Sequence, residues 1–211
     1  MTAIVELVVA GSSAPWEQIG LVVVDGVAQI GGVGLHFDGS AGSGVVSWGL
    51  DDFDDALGQI DGLLTHRADP PISPRADPPI SPVQHHPLGI VGFDHLVVMT
   101  SSLERTCAAI ERDTGEPLKR IREAGTVRQG FHRLGEVIVE VVETDKITAD
   151  QASFWGFVWN VTDIADVCDR LGPDVVSLPR AAVQPGRLIA SVRESAGLGL
   201  PLALMSPPLR R

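Results

Sequence analysis

The sequence predicts an α+β chain assembled from repeated βαβββ units, with sheets curved into a cup. Three observations carry this. An order of strand, helix and three strands recurs three times along the chain. Two of the three passes superpose when one slides about 61 positions onto the other, and a tandem octapeptide, RADPPISP at 67–74 and 75–82, divides the chain. With 211 residues, 44% of them hydrophobic, the chain buries a core without disulfides.

Residues 1–66 read as a degenerate N-terminal βαβββ-like segment. Short β-branched runs from Ile4 to Val9, Leu21 to Val24, Val27 to Phe37 and Val45 to Leu50 predict four strands. Ser12, Ser13, Pro15 and Glu17 mark a short helix after the first of them. Residues 67–88 are a linker, because the repeated prolines remove backbone donors and bias their neighbours toward extended geometry.

Residues 89–206 contain two full passes. In the first, a strand from Ile90 to Met99 leads into a helix whose Leu103, Cys107 and Ile110 form one apolar stripe ended by Gly115. Strands follow around 118–122, 127–134 and 137–142. In the second, a strand from Trp155 to Val161 precedes a helix ended by Gly172, then strands near 175–178, 188–193 and 200–205. The shift places Val97 on Val158, Leu103 on Ile164, Cys107 on Cys168 and Ile110 on Leu171. Three half-units are an odd number, so the spare sheet edge predicts packing on the outside of the cup or a homodimer.

Net charge narrows the partners. Twenty-seven acidic against sixteen basic side chains give −11, which repels a phosphate backbone and argues against nucleic acid. No apolar run approaches the roughly 18 residues of a membrane span. The N-terminal apolar stretch lacks a preceding basic region, so the cytoplasm is the expected compartment. Cys107 and Cys168 read as buried small hydrophobes.

Stretches that carry a resemblance are Gly92-Phe93-Asp94-His95-Leu96-Val97-Val98, Gln129 to Gly135 leading to Val139-Glu140-Val141-Val142-Glu143, Phe154 to Val158, and Ala182 to Arg187. Through them, residues 92–205 resemble the vicinal oxygen chelate superfamily of glyoxalase I, extradiol dioxygenases and bleomycin-resistance proteins. More narrowly, the chain is similar to actinobacterial glyoxalase-like proteins. The resemblance implies a fold of paired βαβββ modules and a small oxygen-rich metabolite as ligand. His95 and Glu140 would serve as catalytic groups or as ligands of a divalent metal. In the 61-residue register His95 falls on Gly156 and Glu140 falls near Ala203, neither of which brings a donor. Two readings therefore stand: a glyoxalase-like lyase or isomerase with a weakly held metal or none, and a metal-free sequestering protein of bleomycin-resistance type.

An inward Glu140 between Val139 and Val141 needs a partner or acts as a general base, whereas on an edge strand it would meet water. Gln129, His132, Gln184 and Arg187 are the candidate ligand-binding residues. Gln129 and His132 are three positions apart, so a regular strand turns at most one of them into the cup. Arg187 reads either as a clamp for a carboxylate or phosphate or as a surface ion pair. The acidic run 51–55 lacks a calcium-loop pattern. The glycine-rich runs at 31–34 and 39–44 lack a phosphate-loop pattern.

Overall fold

A computed structural model describes residues 1–70 and 86–207. The N-terminal part contains β1 (Ile4–Val9), α1 (Ala14–Gln18), β2 (Val27–Ile30), β3 (Val33–Phe37), β4 (Val45–Leu50), β5 (Gln59–Ile60) and β6 (Leu63–Arg67). The C-terminal part contains β7 (Ile90–Thr100), α2 (Leu103–Thr114), β8 (Arg120–Ala124), β9 (Val127–Leu134), β10 (Val137–Glu143), β11 (Ser153–Val161), α3 (Ile164–Leu171), β12 (Arg180–Ala181), β13 (Leu188–Ser191) and β14 (Leu202–Met205). Most of the tandem repeat lies outside the described residues.

Helix ends follow local chemistry. Ser102 caps α2 by accepting from the Arg105 amide, and Gly115 closes it in the left-handed region at φ 72°. Asp163 caps α3 by accepting from the Ala165 and Asp166 amides. At α1, proline sets the first turn but Ser13 makes no side-chain cap.

Two sheets form, ordered β2-β3-β1-β4-β6-β5 and β12-β13-β14-β11-β7-β10-β9-β8. Both follow one plan. A central antiparallel pair, β1 with β4 or β7 with β11, is flanked by parallel partners, β3 and β6 or β10 and β14. The N-terminal segment thus holds two abbreviated half-units where the sequence predicts one. Val27 to Phe37 is a hairpin broken at Gly31, Leu21 to Val24 makes only a bridge from Val24 to Val27, and β5 and β6 supply strands the sequence pattern hides. Four half-units leave none unpaired, so the odd-number reason for expecting a homodimer falls away.

The repeat register holds in space. His95 pairs with Val158 and Val97 with Gly156, a crossing that is symmetric under a 61-residue shift. Glu140 stands beside Val97 as Ala203 stands beside Val158.

One core joins both sheets. Leu96, Val98, Val139, Val141 and Phe157 face it from the C-terminal sheet, with Leu103 and Ile110 of α2. Trp16 of α1 packs between the sheets, 5.6 Å from the Phe37 ring and 6.0 Å from that of Phe157. The N-terminal segment therefore covers the helix-bearing side, the first of the two expected arrangements. Asp61 adds a polar clamp, accepting from Arg105 Nε at 2.8 Å and Thr106 Oγ1 at 2.5 Å. Among the described residues no helix is long and apolar enough to cross a membrane. Cys107 and Cys168 are free and buried, and burial pushes the Cys107 thiol up to about 12.

Candidate functional site

The face of the C-terminal sheet turned away from the core carries the site. Strand alternation alone would put Asp94 and His95 on opposite faces. A bulge in the β7–β11 pairing changes this: His95 opposes Val158 and Phe93 opposes Trp159, leaving Asp94 without a partner. Phe93 is thereby turned into the core, and Asp94 and His95 come to lie together.

Asp94 Oδ2 lies 2.8 Å from His95 Nδ1, and Glu140 Oε2 lies 3.3 Å from His95 Nε2. Gln129 Nε2 donates to Glu140 Oε1 at 2.5 Å. The imidazole therefore stands between two carboxylates. Nδ1 faces Asp94 and Nε2 faces Glu140, so each ring nitrogen has a carboxylate oxygen as a hydrogen-bond acceptor. His95 and Glu140 side chains are each 14% exposed, so the pair is recessed yet reachable.

Arg187 closes the far end. Its Nη2 lies 2.8 Å from Asp94 Oδ1 and donates to Asn160 Oδ1, its Nη1 donates to Gln184 Oε1, and its Nε donates to the Ser206 carbonyl. Burial raises the proton affinity of Asp94, but hydrogen bonds from His95 and Arg187 and the charges behind them outweigh it, holding the carboxyl below the ordinary Asp range.

Five of the six candidate residues meet in this network: Glu140, His95, Gln129, Gln184 and Arg187. The sixth does not. His132 is buried on the opposite face, its Nδ1 3.0 Å from the Glu116 carbonyl, because its place in β9 is out of phase with Gln129. Arg187 is neither a free clamp nor a surface ion pair, since its donors are spent on internal acceptors. Asp94 and Asn160 belong to the network and were missed by the sequence reading. Asp94 was hidden by the bulge, and Asn160 gave no signal beyond its place in β11.

Directly opposed residues of antiparallel strands share a face. Glu140 opposes Phe131, which opposes Arg120; Gln129 opposes Arg122; Arg133 opposes Ile138. The Glu140 face thus also carries three arginines, Arg120 lying over the Phe131 ring at 4.6 Å.

A divalent metal held by His and Glu from each half does not fit these residues. Gly156 and Ala203 offer no donor, and a Cβ on Gly156 would run into the Pro201 carbonyl oxygen. Among the described residues no three His, Cys, Asp or Glu side chains converge as a ready metal shell.

No family model and no curated protein matches the sequence. Solved structures do match. A mutant of 4-hydroxymandelate synthase from Streptomyces coelicolor aligns with 99% of this chain and 93% of its own, at 14% identity and a TM-score of 0.67. Methylmalonyl-CoA epimerase from Mycobacterium tuberculosis aligns with 57% of this chain and 91% of its own, at 14% identity and a TM-score of 0.48. These are vicinal oxygen chelate proteins, and the 4-hydroxymandelate synthase match extends their fold over both sheets of this chain.

Proposed function

We propose that the chain binds a small, anionic, oxygen-rich metabolite on the open face of its C-terminal sheet, and that Glu140 and His95 exchange a proton with it. The chain Asp94–His95–Glu140 is the observation that carries this reading. An aspartate that fixes Nδ1–H aims Nε2 at the reacting position, as in other acid–base pairs.

Two further features support the ligand class. Gln129 Oε1 is buried without a partner beside Glu140, so a ligand hydroxyl or N–H would satisfy it. Arg120, Arg122 and Arg133 on the same face favour carboxylate or phosphate groups. Register places Arg120 two strands from Glu140, about 10 Å away, a span that suits a small two-ended anion.

In the reaction, Glu140 takes a proton from the carbon beside a carbonyl, while a proton at His95 Nε2 stabilises the oxyanion that forms. Return of the proton completes an isomerisation; loss of a β-substituent completes a lyase step. Empty donor positions at Gly156 and Ala203 favour a second reading, in which the same face sequesters a ligand without turnover.

The test is solvent deuterium exchange into a panel of small 2-oxo and 2-hydroxy acids, followed by proton NMR. Exchange that falls on the order of 100-fold or more in Glu140→Gln supports catalysis. Calorimetric binding without exchange supports sequestration. Neither binding nor exchange anywhere in the panel contradicts both readings.

A further inference from the structure

The bulge that turns Asp94 onto the open face occurs twice. Under the 61-residue shift the pairs His95–Val158 and Phe93–Trp159 become Val97–Gly156 and Phe154–Val98, and the residue left without a partner between them is Trp155. Trp155 is thus the counterpart in β11 of Asp94 in β7, and it comes to lie beside Gly156 on the face turned away from the core. Its neighbours fix the side. Phe154 packs on Trp48 at 5.4 Å and Phe157 on Trp16 at 6.0 Å, both within the core, whereas Trp155 stays outside that core and is 50% exposed. The other three tryptophans, Trp16, Trp48 and Trp159, are 1% exposed or less.

The place of this indole gives it a use. Pairing runs straight across five strands: Gly156 opposes Val97, Val97 neighbours Glu140, Glu140 opposes Phe131, and Phe131 opposes Arg120. Trp155 stands at one end of this row, Arg120 at the other and Glu140 in the middle. Adjacent strands are about 4.8 Å apart, so the ends lie roughly 19 Å apart at the backbone and each is about 10 Å from Glu140.

Polarity changes along the row. On one side of Glu140 the Arg120 guanidinium leans inward, 4.6 Å from the centre of the Phe131 ring. On the other side the floor is the apolar Val97, and the wall is the indole. A ligand that lies along the row therefore needs an anionic head at Arg120 and an apolar end at Trp155.

We infer, resting on the proposed function, that Trp155 is the specificity-determining residue of that site, its indole holding a flat unsaturated group such as an aryl ring at the end of the ligand away from the anionic head. A ring set against an indole gains aromatic contact beyond the area it buries, and a ligand without the ring forgoes both.

The experiment compares three acids on the full chain by calorimetry and tryptophan fluorescence: 2-oxobutanoate, its 4-cyclohexyl derivative and its 4-phenyl derivative. The phenyl acid should bind about 10-fold or more tightly than 2-oxobutanoate, with the cyclohexyl acid between them. Iodide should quench Trp155 alone in the free chain, and the phenyl acid should shield it. Trp155→Phe should keep the preference for the ring, and Trp155→Ala should reduce it to about twofold, with circular dichroism confirming that both fold. Arg120→Ala should weaken all three acids and leave the preference in place. Binding blind to the ring, a preference that survives Trp155→Ala in folded protein, or an indole closed to iodide in the free chain would overturn the role of Trp155 while leaving the proposed function standing. Absence of binding by all three acids at about 10 mM would overturn both.

Discussion

Asp94 and His95 are neighbours in one strand, yet Asp94 Oδ2 meets His95 Nδ1 at 2.8 Å on the same side of the sheet. The bulge between the His95–Val158 and Phe93–Trp159 pairs makes this possible. It turns an ordinary strand position into a buried carboxylate that orients the imidazole and neutralises Arg187.

Asp94→Asn keeps the shape of the site and removes the charge. Arg187 and Asp94 side chains are 8% and 6% exposed, so the variant strands a buried guanidinium. A loss of about 3 kcal/mol is expected in urea unfolding at neutral pH. Because the folded carboxyl lies below its unfolded value, the wild-type gain is present above the ordinary Asp range and fades as pH falls through the folded pKa. The difference between the two proteins should shrink accordingly in acid.

His132 supplies a second pH dependence. Burial lowers its pKa, and the hydrogen bond to the Glu116 carbonyl offsets this only in part. The unfolded chain takes up a proton near 6.5, the folded chain only at lower pH, so stability should decline as pH drops below about 6.5. His132→Gln should flatten that slope in a series of urea melts between roughly pH 7 and pH 5.

Gly156 is expected to refuse even a methyl group. A Cβ there meets the Pro201 carbonyl oxygen, a backbone atom that cannot swing away. Gly156→Ala should cost about 3 kcal/mol or more in chemical denaturation. An unaltered midpoint would mean that the second half has room for a side chain after all.

The architecture of the C-terminal half was legible because its periodicities are clean: the stripe of Leu103, Cys107 and Ile110, and the matching of Cys107 with Cys168, gave the repeat and its 61-residue register. His95 and Glu140 were legible as a pair for the same reason. What stayed hidden has physical causes. The bulge at Asp94 breaks strand alternation without any change in residue type. Two-residue β5 is too short to show a period.

Trp16 should behave as the pin between the two sheets. It is fully buried against Phe37 from one side and against Phe157 and Trp159 from the other. Trp16→Ala should lose about 4 kcal/mol, and the wild type should melt in one transition by calorimetry because both sheets share the core.

The most direct measurement of whether Glu140 and His95 work as a unit is a double-mutant cycle on solvent deuterium exchange, using Glu140→Gln, His95→Asn and the double variant. Groups that act together in one proton-transfer step are strongly non-additive, so the double variant should be about as slow as the slower single one. Independent, multiplying losses would contradict the shared role.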